Sequence, residues 1–248
     1  MKPRTRALLL AVATAALAVP AFTGTASARP PAATTYEVTI TNLTDGQPFT
    51  PPVVAVHRGK NAVFRVGGRA SFGVKEIAEN GNNAPLLFEL AWDRRVTESL
   101  QAGDGPLAPP GTPGESMGFD DAVTFTVERE RGSRRLSVVS MLICTNDGFS
   151  GVNGVRLPRR VGDSDTVLAA GYDAGTEVNT EDFANIVPPC QGLIGVSSGE
   201  PGTGTSDPAL FEGGRIAHHP NIQGGADLVP GVHGWTDPVL EISITAVS

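Results

Sequence analysis

Two segments near opposite ends of the chain share a period of two. Tyr36, Val38 and Ile40 alternate with Glu37, Thr39 and Thr41, and in Val239–Thr245 the residues Leu240, Ile242 and Ile244 fall on one side. Such alternation describes strands with one face buried and the other in water. Their apolar faces fit a single sandwich in which the first and last strands share a sheet. Between them, Val123–Val127 and Leu136–Leu142 flank the charged segment ERERGSRR, which reads as a hairpin around Gly132. With 30 glycines and 20 prolines, about one residue in five is a turn-former, which excludes a helical bundle or coiled coil. One short helix is predicted at Phe72–Glu79, with Val74, Ile77 and Ala78 at helical spacing and Gly81 ending it. Residues 103–114 and 199–204 read as loops. No repeat and no change of composition marks a boundary, so the reading is one domain over 36–248, with two domains as the alternative.

The first 28 residues have their own logic. Lys2, Arg4 and Arg6 precede an apolar run from Ala7 to Pro20, and Ala26-Ser27-Ala28 forms a small-residue cleavage motif. This is the pattern of a secretory signal peptide, followed at 29–35 by a flexible lead-in. The run is too short for a permanent membrane span, and the product is expected to be secreted. Removing the leader takes away three positive charges and moves the net charge from −7 to −10. A chain this acidic, with no basic stripe in view, is a poor partner for nucleic acid. In an exported chain, Cys144 and Cys190 suggest a disulfide, with two buried thiols as the alternative.

Few residues offer chemistry. The histidines are His57, His218, His219 and His233, and no H-E-x-x-H pattern occurs. Gly195-Val196-Ser197-Ser198-Gly199 matches G-x-S-x-G, but Glu200-Pro201-Gly202 follows where a nucleophile elbow needs a helix. A secreted hydrolase using Ser197 with one of the histidines is therefore a competing reading, and an envelope structural protein without a ligand is another. Asn42-Leu43-Thr44 is a formal glycosylation sequon. Carboxylates are better placed: Asp147 after a strand, Asp173 and Glu177 around Gly175, and Asp163 with Asp165 in a polar loop. Clustered carboxylates with nearby carbonyls are what calcium requires. Arg156, Arg159 and Arg160 offer a rival way to neutralise them.

Several runs in order resemble the spondin amino-terminal domain family in its bacterial form. These are Tyr36–Thr44 with Gln47–Pro52, Lys75–Gly81, Thr145–Gly151, Tyr172–Glu177 and Asp237-Pro238. The resemblance implies an all-β, antiparallel sandwich of about eight strands with one or two short helices, similar to calcium- and lipid-binding sandwich modules. It further implies a non-enzymatic module holding one calcium ion at Asp147, Asp173 and Glu177. Glu177 stands where animal members have Asp, Gly148 and Tyr172 replace tryptophans, and Asn146 replaces a proline. The thrombospondin-type repeats of animal members are absent here. The expected partner is a protein or a surface glycan, and the expected state is a monomer.

Overall fold

The computed structural model describes residues 34–60 and 62–248. The leader expected at 1–28 lies outside them, as does the lead-in up to residue 33, whereas Thr34 and Thr35, expected in that flexible lead-in, pair with Arg129 and Glu128 as the start of the first strand. Ten strands form among the described residues: β1 (Thr34–Asn42), β2 (Val53–His57), β3 (Val96–Gln101), β4 (Ala122–Arg129), β5 (Arg135–Met141), β6 (Gly148–Arg156), β7 (Ser164–Ala169), β8 (Gly171–Asp173), β9 (Ala217–His218) and β10 (Leu240–Ala246). Five short helices accompany them: α1 (Phe72–Asn80), α2 (Ala84–Trp92), α3 (Pro113–Ser116), α4 (Pro189–Ile194) and α5 (Pro230–His233). The strands build a four-stranded sheet in the order β4-β1-β10-β7 and a six-stranded sheet in the order β3-β2-β5-β6-β8-β9. The fold is thus the all-β antiparallel sandwich expected, with more strands and helices than anticipated.

The first and last strands do pair. β10 runs antiparallel to β1 with Val38 opposite Ile244 and Ile40 opposite Ile242. These four side chains and Tyr36 are fully buried, and they pack between the sheets against Val54, Val56, Leu136 and Val138. Each buried Val or Ile contributes about 1.5–3 kcal/mol relative to exposure. The outward residues of β1 and β10 reach water, which is why their alternation is so regular.

The hairpin reading of the ERERGSRR segment needs correction. β4 pairs with β1, whereas β5 sits between β2 and β6 in the other sheet. The charged loop therefore crosses from one layer to the other. The reason lies in burial. β4 hides only one side, whereas Leu136–Met141 of β5 is buried throughout and needs cover above and below.

That cover is a second core on the outer face of the six-stranded sheet. Val53, Ala55, Val139, Met141 and Phe149 lie under Val74 and Ile77 of α1, Leu86 and Leu90 of α2, and Leu193 of α4. The helix expected at Phe72–Glu79 is α1. The Ser71 side chain accepts from Val74 N, and Gly81, at φ 63°, closes the helix by donating to the Ile77 carbonyl. Cys144 and Cys190 are joined, with a 2.07 Å S–S bond and Cα atoms 5.0 Å apart, so the free-thiol alternative falls. The bridge fastens α4 to the turn after β5. The described residues form one compact unit.

Candidate functional site

The turn between β5 and β6 places Asp147. Thr145 Oγ1 donates to the Leu142 carbonyl at 2.6 Å and accepts from Gly148 N at 2.9 Å, which tightens the turn. A Cβ on residue 148 would fall 2.4 Å from Thr145 Oγ1, so this turn favours glycine. Asn146 is held from both ends of its amide: it donates to Thr180 Oγ1 and accepts from Glu181 N. Asp147 itself is completely buried.

The second piece is the turn leaving β8. Asp173 pairs with Gly148 across the β6–β8 ladder, which sets it beside Asp147. Its Oδ1 accepts from Gly175 N at 2.6 Å and its Oδ2 from Asn179 Nδ2 at 2.7 Å. Gly175 has φ 67°, and a Cβ there would approach Arg215 N to 2.4 Å. Asp147 Oδ2 reaches across to cap this turn, accepting from Thr176 N at 2.7 Å, Glu177 N at 3.0 Å and Thr176 Oγ1 at 3.2 Å. Its other oxygen, Oδ1, is buried with no partner. Burial, and then the charge of Asp173, push the Asp147 carboxyl up to about 7 despite those donors.

Glu177 shares this turn through its backbone but turns its side chain elsewhere. Its Oε1 accepts from Asp207 N at 3.3 Å. Burial, and then the neighbouring Glu79, raise its carboxyl to about 7. Glu79, on α1, is itself buried; its Oε2 pairs with Lys75 Nζ at 2.7 Å and its Oε1 has no partner. The acids therefore form two adjoining pairs, Asp147 with Asp173 and Glu177 with Glu79. Among the described residues, the one group of three candidate ligand side chains within 4.8 Å of one another is Cys144, Cys190 and His233. Both sulfurs there are spent in the disulfide. The acidic turns offer hard oxygen donors of the kind calcium takes: the free Asp147 Oδ1 and the remaining lone pairs of Asp173. Glu177 adds charge from the adjoining pair.

Sequence reasoning did not single out Glu79 or Glu181, and it named His219 only among the histidines that could serve Ser197. Glu181, at φ 58°, accepts from Gln223 N and Gly225 N and clamps the loop before α5. Burial drives the His219 imidazole down to about 4, although the charges of Asp173, Glu181 and Asp237 oppose this. Asp237 Oδ1 accepts from Gly171 N, tying the entry of β10 to β8. A buried acid inside a mostly apolar helical face, as at Glu79, was the readable signal.

The other candidates are scattered. Ser197 is exposed and donates to Gln191 Oε1, with no histidine bonded to it. His57 instead meets Ser137, with Nε2 2.7 Å from Oγ, but both are buried inside the sheet. His233 Nδ1 accepts from Val229 N beside the disulfide, and His218 lies against the Tyr172 ring. Asn42 is buried and donates its amide to the Gln47 and Leu107 carbonyls, so the sequon is used internally. Asp163 and Asp165 sit at the start of β7, with Asp163 accepting from Arg160 N. Arg156, Arg159 and Arg160 lie at or beyond the far end of β6 from Asp147, so they do not clamp these acids. Nor does the acidic net charge leave the chain without a basic surface, because six arginines gather at that far end.

A family model described as Spondin_N matches residues 37–185. The chain belongs to the spondin amino-terminal domain family. The spondin match runs from β1 to Asn185 and so contains Asp147, Asp173, Glu177 and Glu79. Ser197 and three of the four histidines lie outside it. No curated protein matches the chain. Among the described residues no helix is long and apolar enough to cross a membrane.

Proposed function

We propose that the chain is an exported, non-enzymatic spondin-type module, one domain over residues 36–248, stabilised by a single calcium ion at its acidic turns. Asp147 and Asp173 hold the ion, and Glu177 adds charge from the adjoining pair. The observation that carries this reading is the buried, partnerless Oδ1 of Asp147, set against a second carboxylate. A bound cation would remove their mutual repulsion and give that oxygen a partner. Calcium here is structural: it fastens the β5–β6 turn to the turn after β8.

Export is supported by the leader pattern at 1–28 and by the disulfide. A non-enzymatic role is supported by Ser197, whose hydroxyl is committed to Gln191 rather than to a base. The module acts as a monomer that presents its surface to a protein or surface glycan. The test is thermal unfolding of the purified protein with calcium and with chelator. Saturating calcium should raise the midpoint, and chelator should remove the gain. A melting curve indifferent to both would end the proposal.

A further inference from the structure

Positive charge collects at the end of the sandwich remote from Asp147. Arg58 follows β2, Arg129 closes β4, Arg135 opens β5 with Arg134 just before it, and Arg156 and Arg159 stand at and beyond the end of β6. With Gly132 and Leu157 they line a cavity of about 470 Å³, and none of the eight lining residues is acidic. Among the described residues the ion pairs are Lys75–Glu79 and Arg95–Asp93, so none of the six arginines has a carboxylate partner. An adjoining depression shares Arg156 and Arg159 and is lined also by Arg160, Asp163 and Asp165.

The backbone under these side chains is fixed. Leu157 N donates to the Arg134 carbonyl at 3.0 Å, Arg134 N to the His57 carbonyl at 3.2 Å, and Arg58 N to the Arg95 carbonyl at 3.0 Å. Tyr36 donates its hydroxyl to the Pro158 carbonyl at 2.8 Å, pinning the chain between Arg156 and Arg159. Arg129 donates Nη2 to Thr34 Oγ1, but its Nε is buried without an acceptor. Arg135 Nη1 is directed to the Gly154 carbonyl. Six like charges around one cavity are unfavourable, and a bound anion would relieve that repulsion.

The geometry points to a binding site for a compact polyanion carrying several phosphate or sulfate groups. The guanidinium fork matches a tetrahedral oxyanion, and six forks exceed what one such group needs. The arginines line a concavity, which suits clustered groups better than the extended backbone of a duplex. None of the acidic-turn residues takes part, so this site is independent of the calcium reading.

Isothermal titration of the protein in calcium-free buffer at physiological salt tests it, with myo-inositol hexakisphosphate and sucrose octasulfate as probes. At least one probe should bind. Its affinity should drop at least about tenfold in the Arg134→Gln/Arg159→Gln double variant, and less than about twofold in Arg215→Gln near Gly175. Arg134 and Arg159 are exposed, so the double variant should melt like the wild type. Arg156→Gln, also exposed, supplies a second variant that should weaken the same probe. The tighter probe tells phosphate from sulfate. Binding of neither probe, binding that ignores the arginine substitutions, or tighter binding of a short duplex DNA than of either probe would each overturn the proposal.

Discussion

Asp147→Asn separates charge from hydrogen bonding at the acidic turn. The asparagine carbonyl can keep the bonds from Thr176 and Glu177, and its NH₂ takes the place of the partnerless Oδ1. Without a cation, the wild-type carboxyl titrates near 7 in the fold against an ordinary 3.8. Between those values the folded state binds a proton that the unfolded chain does not. The stability contributed by this group is therefore complete below the unfolded value and is lost as pH rises through the folded one. Three units correspond to at most about 4 kcal/mol, or about 10 °C in midpoint for a chain of this size. The variant has no such titration, but a buried NH₂ without an acceptor costs about 1–3 kcal/mol. Metal-free wild type should thus lose stability relative to the variant as pH rises from 5 to 8, by up to about 3 kcal/mol. His57, His219 and His233, which burial shifts downward, titrate in both proteins and largely cancel in the comparison. Calcium at a hundred times its dissociation constant should add about 2.7 kcal/mol to the wild type at pH 8 and much less to the variant. Thermal unfolding at pH 5 to 8, dialysed against chelator and then with calcium restored, measures all of this. A variant destabilised equally at every pH, with an undiminished calcium response, would refute the reasoning.

Asp173→Asn should reduce the calcium-induced rise in midpoint more than Asp163→Asn, since Asp163 lies at the start of β7 away from the acidic turns; equal effects would count against the assignment. Replacing Cys144 and Cys190 together by alanine opens a 46-residue separation and should lower stability by about 4 kcal/mol in urea unfolding, on the chain-entropy estimate. Gly175→Ala forces a Cβ onto Arg215 N at positive φ and should cost at least about 2 kcal/mol, while also weakening the calcium response. Ile242→Ala, between the sheets, should cost about 2–5 kcal/mol with no change in calcium response.

How much of this could be read from the residues follows from how each element is buried. β1 and β10 show one face to water, so their alternation gave away both strands and their shared sheet. α1 announced itself by spacing and by Gly81. α2 was missed because Ala84–Trp92 is apolar nearly all round: Leu86 and Leu90 are buried while Phe88 and Trp92 are exposed, which blurs the period. β4 and β5 were found as strands but joined wrongly, since a charged loop looks alike whether it turns a hairpin or crosses between sheets. At the site, Asp147 and Asp173 were legible as neighbours through order in the chain and the family resemblance. The Glu177 side chain accepts from Asp207 N and lies near Glu79, some hundred residues away on α1, and no local pattern encodes that. The arginine cavity was hidden by arithmetic, because net charge averages over ends that the fold keeps apart.

The placement of β10 has a consequence for how the molecule comes into being. It fills the position between β1 and β7, so until residues 240–246 have arrived the four-stranded sheet lacks an interior member. Pairing Tyr36 with Ala246 joins residues 210 positions apart, which makes this a high-contact-order closure and a slow one. A chain threaded across a membrane from its amino end would keep this layer open throughout transit and zip it shut only on the far side. Under the export proposed above, a late-arriving keystone would delay maturation to the moment when it is useful.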